Sequence, residues 1–227
     1  DWQAGMIGIP APGLEVKLVP VSDRLEVRYR GPSITPGYWR DGDKTRASFD
    51  DEGFFCSGDA ARFVDPTNPA RGLRFDGRTS EDFKLNSGTW VDVGALRHGV
   101  VEAGAPYVQD AVVTGHGRDD LGLLVFLWPR AAELSPALPP RASLAQIAAD
   151  PLVRAWMQTL LERLAAQAKG SSARFTRALL LDEPASMARG EVTDKGSINQ
   201  RAVLQHRAAW VDELYAEPAG PRVLRLG

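Results

Sequence analysis

The sequence has 227 residues, enough for one large domain or two small ones, and its 44% apolar and 25% charged content excludes a disordered chain. Twenty-seven basic against 29 acidic side chains leave a formal charge of −2, so no global field favours nucleic acid or an anionic membrane. A single cysteine, Cys56, excludes an intrachain disulfide framework and a multi-cysteine metal cluster, and no apolar run approaches the ~18 residues of a membrane span.

Residues 1–12 read as a loop entering a strand, with neither an initiator methionine nor a signal peptide. The expectation is a soluble, cytoplasmic protein whose sequence is a fragment of something longer. Leu14, Val16 and Leu18 alternate with Glu15 and Lys17. After Val-Ser-Asp, Leu25, Val27 and Tyr29 alternate with Glu26, Arg28 and Arg30. Period-two alternation on both sides of a turn predicts a hairpin with one buried face. Phe54-Phe55-Cys56 and Leu73-Arg74-Phe75 predict further short strands, and no helical periodicity precedes residue 93.

The pattern changes after Gly77. A short helix is predicted over 93–103, strands over 110–114 and 121–127, and a surface loop over the Ala- and Pro-rich 129–143. Asp150 caps a helix that begins at Pro151, where a missing N–H costs nothing. Val153, Trp156, Leu160, Leu161, Leu164 and Ala168 form its apolar stripe, and Gly170 ends it. A strand at 175–181, a polar loop at 186–197 and a last amphipathic helix at about 198–216 complete the chain. The fold class is α+β: a small, mostly β subdomain followed by a compact α+β domain.

Phosphate-loop and dinucleotide glycine fingerprints and Cys/His metal spacings are all missing, and His98, His116 and His206 are scattered. Ser57-Gly58-Asp59 follows a strand of aromatics, where a carboxylate preceded by glycine reads either as a ligand for hydroxyls or as a plain turn. Gly77-Arg78 poses the same choice between a guanidinium for ribose or phosphate and an exposed turn arginine. Lys195 is one of five lysines against 22 arginines and sits in the polar loop Gly190-Glu-Val-Thr-Asp-Lys-Gly196. No one of these features is specific by itself.

Their order and spacing are specific. Leu25-Glu-Val-Arg-Tyr-Arg-Gly-Pro-Ser-Ile-Thr-Pro-Gly-Tyr-Trp39, Gly53-Phe-Phe-Cys-Ser-Gly-Asp59, Phe75-Asp-Gly-Arg-Thr-Ser-Glu-Asp-Phe-Lys-Leu-Asn-Ser-Gly-Thr-Trp-Val91 and Gly190-Glu-Val-Thr-Asp-Lys-Gly-Ser-Ile-Asn-Gln-Arg201 resemble, in order, four motifs of adenylate-forming enzymes. The last two are most similar to those of feruloyl-CoA synthetases and related aryl-CoA ligases.

The resemblance implies an AMP-forming acyl-CoA synthetase. A carboxylate attacks the α-phosphate of ATP, giving an acyl-adenylate and pyrophosphate, and the thiol of coenzyme A then displaces AMP. It implies that residues 1–79 are the C-terminal, β-rich part of a large adenylation domain and that 80–227 are the small mobile domain. It implies that Asp59 and Arg78 bind the nucleotide's ribose, that Ser80 is the hinge, and that Lys84 and Gly88 face the thioester-forming site. Lys195 is the implied catalytic cation. The implied cofactors are ATP/AMP and coenzyme A, with Mg2+ expected alongside ATP but no metal ligands in this segment. The implied partners are a small-molecule carboxylic acid, such as ferulate, and an N-terminal domain of the same polypeptide, with no nucleic acid and no membrane span. The phosphate-gripping loop and most of the acyl pocket belong to that N-terminal domain in the family, so the 227 residues alone are expected to be inactive.

The sequence departs from the family pattern in places. Ser80 stands where Asp or Lys is usual, and the loop from Lys84 to Gly88 is one residue longer than in many aryl-CoA ligases. Ser197 occupies the usual lysine register, with Lys195 two positions earlier. Two other readings stay open. One is the adenylation module of a carboxylate reductase-like enzyme that hands its acyl group to a carrier domain, and the other is a degenerate, non-catalytic interaction module.

Overall fold

A computed structural model describes residues 6–21, 24–79, 81–193 and 196–226. The chain divides into two compact units, Asp1–Ser80 and Glu81–Gly227.

Alternating side chains in the first unit produce the strands β1 (Met6–Gly8), β2 (Glu15–Val21), β3 (Arg24–Arg30), β4 (Phe55–Phe63) and β5 (Leu73–Arg78). They form one antiparallel sheet in the order β1-β5-β4-β3-β2. The expected hairpin is β2–β3, paired from Glu15↔Arg30 to Val21↔Arg24. Its inward residues Val16, Leu18 and Tyr29 pack against a small core of buried Val27, Ala61 and Leu73. The aromatic strand beginning at Phe55 is longer than expected, reaching Phe63. A short helix, α1 (Gly42–Ala47), was not expected. It buries none of its residues and so leaves no apolar period to read, and its start is fixed locally by Asp41, which accepts the Lys44 N–H at 2.9 Å.

The second unit is built on a four-stranded mixed sheet in the order β11-β10-β9-β8, from β8 (Val108–Thr114), β9 (Leu121–Leu127), β10 (Phe175–Leu180) and β11 (Leu224–Arg225). A separate two-stranded ribbon pairs β6 (Phe83–Lys84) with β7 (Trp90–Val91). All seven residues of β9 are buried, because both faces of this sheet are covered. Leu121, Leu123, Val125 and Leu127 face the larger core with α2 (Val93–Ala103) and α4 (Pro151–Gln167), whereas Leu124 and Phe126 face the other side with α5 (Gln200–His206) and α6 (Ala208–Leu214). β9 and β10 run parallel, and α4 lies between them in sequence as the crossover.

Asp150 caps α4 as expected, accepting the Leu152 and Val153 N–H groups at 2.9 and 3.1 Å. Other expectations need correction. Met157 joins Val153, Leu160 and Leu161 on the buried stripe, and the helix stops at Ala168, before Gly170. The predicted surface loop 129–143 holds a 3-10 turn, Pro129–Leu134, whose Ala131 is buried, and Ser135 is buried where its hydroxyl donates to Asp150 at 2.9 Å. A further helix, α3 (Leu144–Ala149), starts at a reciprocal Ser143/Gln146 capping box. The helix predicted over 198–216 is two helices broken at Arg207, which takes φ −113° and ψ 32° with its side chain buried.

Candidate functional site

In the first unit, Asp59 and Arg78 come together. They are directly paired across β4 and β5, and the Arg78 Nε lies 3.4 Å from an Asp59 carboxylate oxygen. Both side chains keep substantial exposure, 40% for Asp59 and 55% for Arg78, so a ligand can reach them. The backbone there is not a regular ladder. Glu26 pairs with Ala60 and Arg28 with Cys56, so the single residue Val27 on β3 faces Ser57, Gly58 and Asp59 on β4. Such a bulge re-aims side chains, and Gly58 adopts the left-handed φ of +70° that it needs.

The Gly58 N–H and carbonyl and the Asp59 N–H find their partners off the regular ladder. The Gly58 N–H donates to a Glu26 carboxylate oxygen at 2.9 Å, and the Gly58 carbonyl accepts from the Thr79 N–H at 2.8 Å and the Thr79 hydroxyl at 3.1 Å. The Asp59 N–H donates to the Ser57 hydroxyl at 3.1 Å, and that hydroxyl donates to the Val27 carbonyl. Burial pushes the Asp59 carboxyl above the ordinary aspartate range. The Arg78 charge and hydrogen bond pull it back, and the negative charge of Glu26 adds to the rise. Gly77, at φ +93°, precedes Arg78 where a side chain would meet the Arg24 guanidinium.

The second unit holds the remaining candidates. Lys84 is exposed on β6, opposite Trp90, with its ammonium 4.9 Å from the Trp90 ring centroid. Gly88 closes the β6–β7 turn by donating to the Leu85 carbonyl at 2.9 Å. The turn is fastened to a neighbouring loop by the Asn86 N–H on the Arg118 carbonyl and the Gly117 N–H on the Lys84 carbonyl, at 2.8 and 3.2 Å. Lys195 and Ser80 lie outside the described residues.

The two arms of the loop around Lys195 are firmly held. Val192 and Ile198 form an antiparallel bridge, and the Thr193 N–H donates to the Ser197 carbonyl at 2.8 Å. On one arm, buried Glu191 takes a two-pronged contact from buried Arg207 at 3.0 and 2.8 Å and accepts the Ser186 N–H at 2.7 Å. On the other, Arg97 donates to the Ile198 carbonyl at 3.1 Å while it grips Asp110 through two further bonds of 2.6 and 2.5 Å. Ser197 is tied up by its 2.7 Å hydrogen bond with the Thr193 hydroxyl. Sequence reading singled out none of Glu26, Glu191, Arg97 and Arg207. Two of them stand inside quoted motifs, Glu26 beside Leu25 and Glu191 beside Gly190, and that position is the signal that could have found them. Among the described residues no three His, Cys, Asp or Glu side chains could hold a metal ion, and no helix is long and apolar enough to cross a membrane.

Comparisons with known proteins agree with this architecture. The chain is 26% identical over 234 residues to long chain acyl-CoA synthetase 7, peroxisomal, of Arabidopsis thaliana, a match over 96% of this chain and 33% of that protein. It is 35% identical over 125 residues to fatty acyl-CoA synthetase B of Dictyostelium discoideum, over 51% of this chain and 18% of that one. It thus spans a third or less of the length of these relatives. In fold it is similar to the A domain of carboxylic acid reductase from Segniliparus rugosus, with a TM-score of 0.69 at 22% identity over 92% of this chain and 32% of that one. Residues 85–219 match the family described as the AMP-binding enzyme C-terminal domain. More than half of the sequence and nearly all of the second unit are covered by that match, and the chain therefore belongs to the AMP-binding enzyme C-terminal domain family.

Proposed function

We propose that this chain is the C-terminal part of an AMP-forming acid–thiol ligase, which makes an acyl-adenylate from ATP and a carboxylic acid and then an acyl-CoA. The observation that carries the reading is the cross-strand Asp59–Arg78 pair on its bulge, preceding a domain of the matched family. A carboxylate there accepts from two vicinal ribose hydroxyls, and the neighbouring guanidinium donates from a rigid fork. Lys195, in the segment between the arms held by Arg207 and Arg97, is the cation that neutralises charge developing on the α-phosphate during adenylation. Ser80 is the hinge about which residues 80–227 swing between the half-reactions. Lys84 and Gly88 then line the coenzyme A face. Mg2+ bound with ATP would screen the charge of its phosphates.

The acid is an aromatic one such as ferulate, on the wording of the motifs at 81–91 and 193–204. The named relatives are long-chain and fatty acyl-CoA synthetases, which makes a fatty acid the competing substrate class. The reductase-like reading, adenylation followed by transfer to a carrier domain, draws on the likeness of fold to a carboxylic acid reductase A domain. A cytoplasmic location goes with the reading. The test is mass-spectrometric detection of acyl-CoA after incubating the intact protein with ATP, Mg2+, coenzyme A and a panel of aromatic and fatty acids. An aryl-CoA product is expected. A fatty acyl-CoA product corrects the substrate, acyl-AMP that never becomes a thioester favours the reductase-like reading, and no acyl transfer or adenylate with any acid overturns the proposal.

A further inference from the structure

Glu26 is a charged residue kept in the interior of a small β sheet, with 5% of its surface exposed. Burying a carboxylate is costly unless it is paired and hydrogen-bonded, so its contacts define what it does. One oxygen accepts the Gly58 N–H at 2.9 Å, and the other accepts from the Arg28 Nε at 2.8 Å. Arg28 in turn contacts Asp50 at 3.0 Å, and Asp50 contacts Lys17 at 2.9 Å, so the charge of Glu26 is balanced within a chain of ion pairs that ends at Lys17.

The Gly58 contact has a geometric cause. Between the Glu26↔Ala60 and Arg28↔Cys56 pairs, β4 carries two more residues than β3, which leaves the middle of the bulge without a ladder acceptor on β3. The Glu26 side chain supplies that acceptor. The N–H it holds belongs to the Ser57–Gly58 peptide, and the carbonyl of the next peptide, the one that joins Gly58 to Asp59, is fixed by Thr79, next to Arg78. Gly58 is thereby held on both sides, its N–H by a buried carboxylate and its carbonyl by the end of β5.

We infer that Glu26 is a positioning residue for the Asp59 carboxylate: it holds the bulge at Gly58 in the one conformation that aims Asp59 at Arg78 and at a bound nucleotide. The inference rests on the reading of Asp59 as a nucleotide ligand, but its geometric part is independent of that reading. A glutamine at 26 still offers an oxygen to the Gly58 N–H, while an alanine leaves that N–H without an acceptor.

The test is a double-mutant cycle on AMP affinity in the intact protein, measured by calorimetry on folded samples, with thermal midpoints recorded alongside. Glu26→Ala is expected to weaken AMP binding about tenfold, and Glu26→Gln to stay within about threefold of the parent. In an Asp59→Ala background, Glu26→Ala should cause no further loss, because its effect passes through Asp59. Equal losses in both backgrounds, or a lower thermal midpoint with unchanged affinity, would show Glu26 to be a general support of the sheet and overturn the inference. If Asp59→Ala itself leaves AMP affinity unchanged, the ribose reading fails and the positioning claim is judged on the carboxyl carbon resonance of Asp59 in this chain. That resonance should move in Glu26→Ala and stay near its parent position in Glu26→Gln at a pH where Asp59 is fully ionised. An Asp59 signal indifferent to Glu26→Ala would end the claim.

Discussion

The Glu191–Arg207 pair offers a severe test of how the second unit holds the loop that carries Lys195. Glu191 is fully buried and Arg207 nearly so. Glu191→Gln keeps the shape but places an amide NH2 among donors, the Arg207 guanidinium and the Ser186 N–H. The single remaining oxygen is neutral and cannot serve all of these donors, so the Arg207 charge is left with the Glu183 and Pro184 carbonyls, at 3.2 and 2.6 Å, the face of Phe126 at 5.1 Å and at most one uncharged acceptor at 191. Removing one partner of a buried pair costs about 3–5 kcal/mol, because the other charge stays buried. For a unit of roughly 150 residues that corresponds to a fall in Tm of roughly 6–20 °C. The assay is thermal unfolding followed through the amide signals of β9 and β10, which report this unit alone. Glu191→Leu combined with Arg207→Met should recover most of the loss, since apolar replacement of a whole buried pair is often neutral.

The sign of the pH dependence is also fixed. Burial pushes the Glu191 carboxyl up, but the Arg207 contacts and the Ser186 N–H outweigh it and hold the group below the ordinary glutamate range. Its contribution is therefore complete above about pH 4.3 and is lost as the pH falls through the depressed value. The gap between the parent and Glu191→Gln should narrow in acid. A single variant within about 1 kcal/mol of the parent at pH 7, or a double variant no better than the single, would refute the reasoning.

Two further outcomes follow from the site. Because the Asp59 carboxyl titrates above the ordinary range and must be ionised to accept ribose hydroxyls, AMP affinity should fall as the pH drops through its raised pKa, and Arg78→Gln should move that midpoint to still higher pH by removing the opposing charge; a midpoint indifferent to residue 78 would remove the coupling. Lys195→Ala should depress acyl-adenylate formation by orders of magnitude while pre-formed acyl-AMP still reacts with coenzyme A at near the parent rate, and Ser197→Ala should do little; equal loss of both half-reactions would point to a folding defect, and no loss in either would take Lys195 out of the site.

The elements that the sequence made legible are those in which one physical pattern dominates. The alternation from Leu14 to Tyr29 marks the β2–β3 hairpin, with Val16, Leu18, Val27 and Tyr29 on the covered face, although Glu26 is buried and Leu25 exposed against the pattern, and Asp150-Pro151 marks a helix start through local chemistry alone. β9 is legible for the opposite reason, an unbroken apolar run buried on both sides. The misses occur where there is no pattern to read or where long-range contacts override it. α1 buries nothing and has no period. The helix expected over 198–216 breaks because Arg207 turns inward to meet Glu191, a partner 16 residues away, and an arginine in an amphipathic pattern reads as solvent-facing. Asp59 and Arg78 were singled out by motif, but their pairing and the bulge beside it depend on the register of three strands, and no local spacing encodes it.

The most direct measurement of the central claim is ATP–pyrophosphate exchange, run on the intact protein and on this 227-residue chain, each with and without a panel of aromatic and fatty acids. The expected result is acid-dependent exchange by the intact protein and none above the no-enzyme blank by the chain alone, because positioning of the triphosphate and the acid supplies most of the rate. Exchange by the isolated chain, or its absence from the intact protein with every acid, would contradict it.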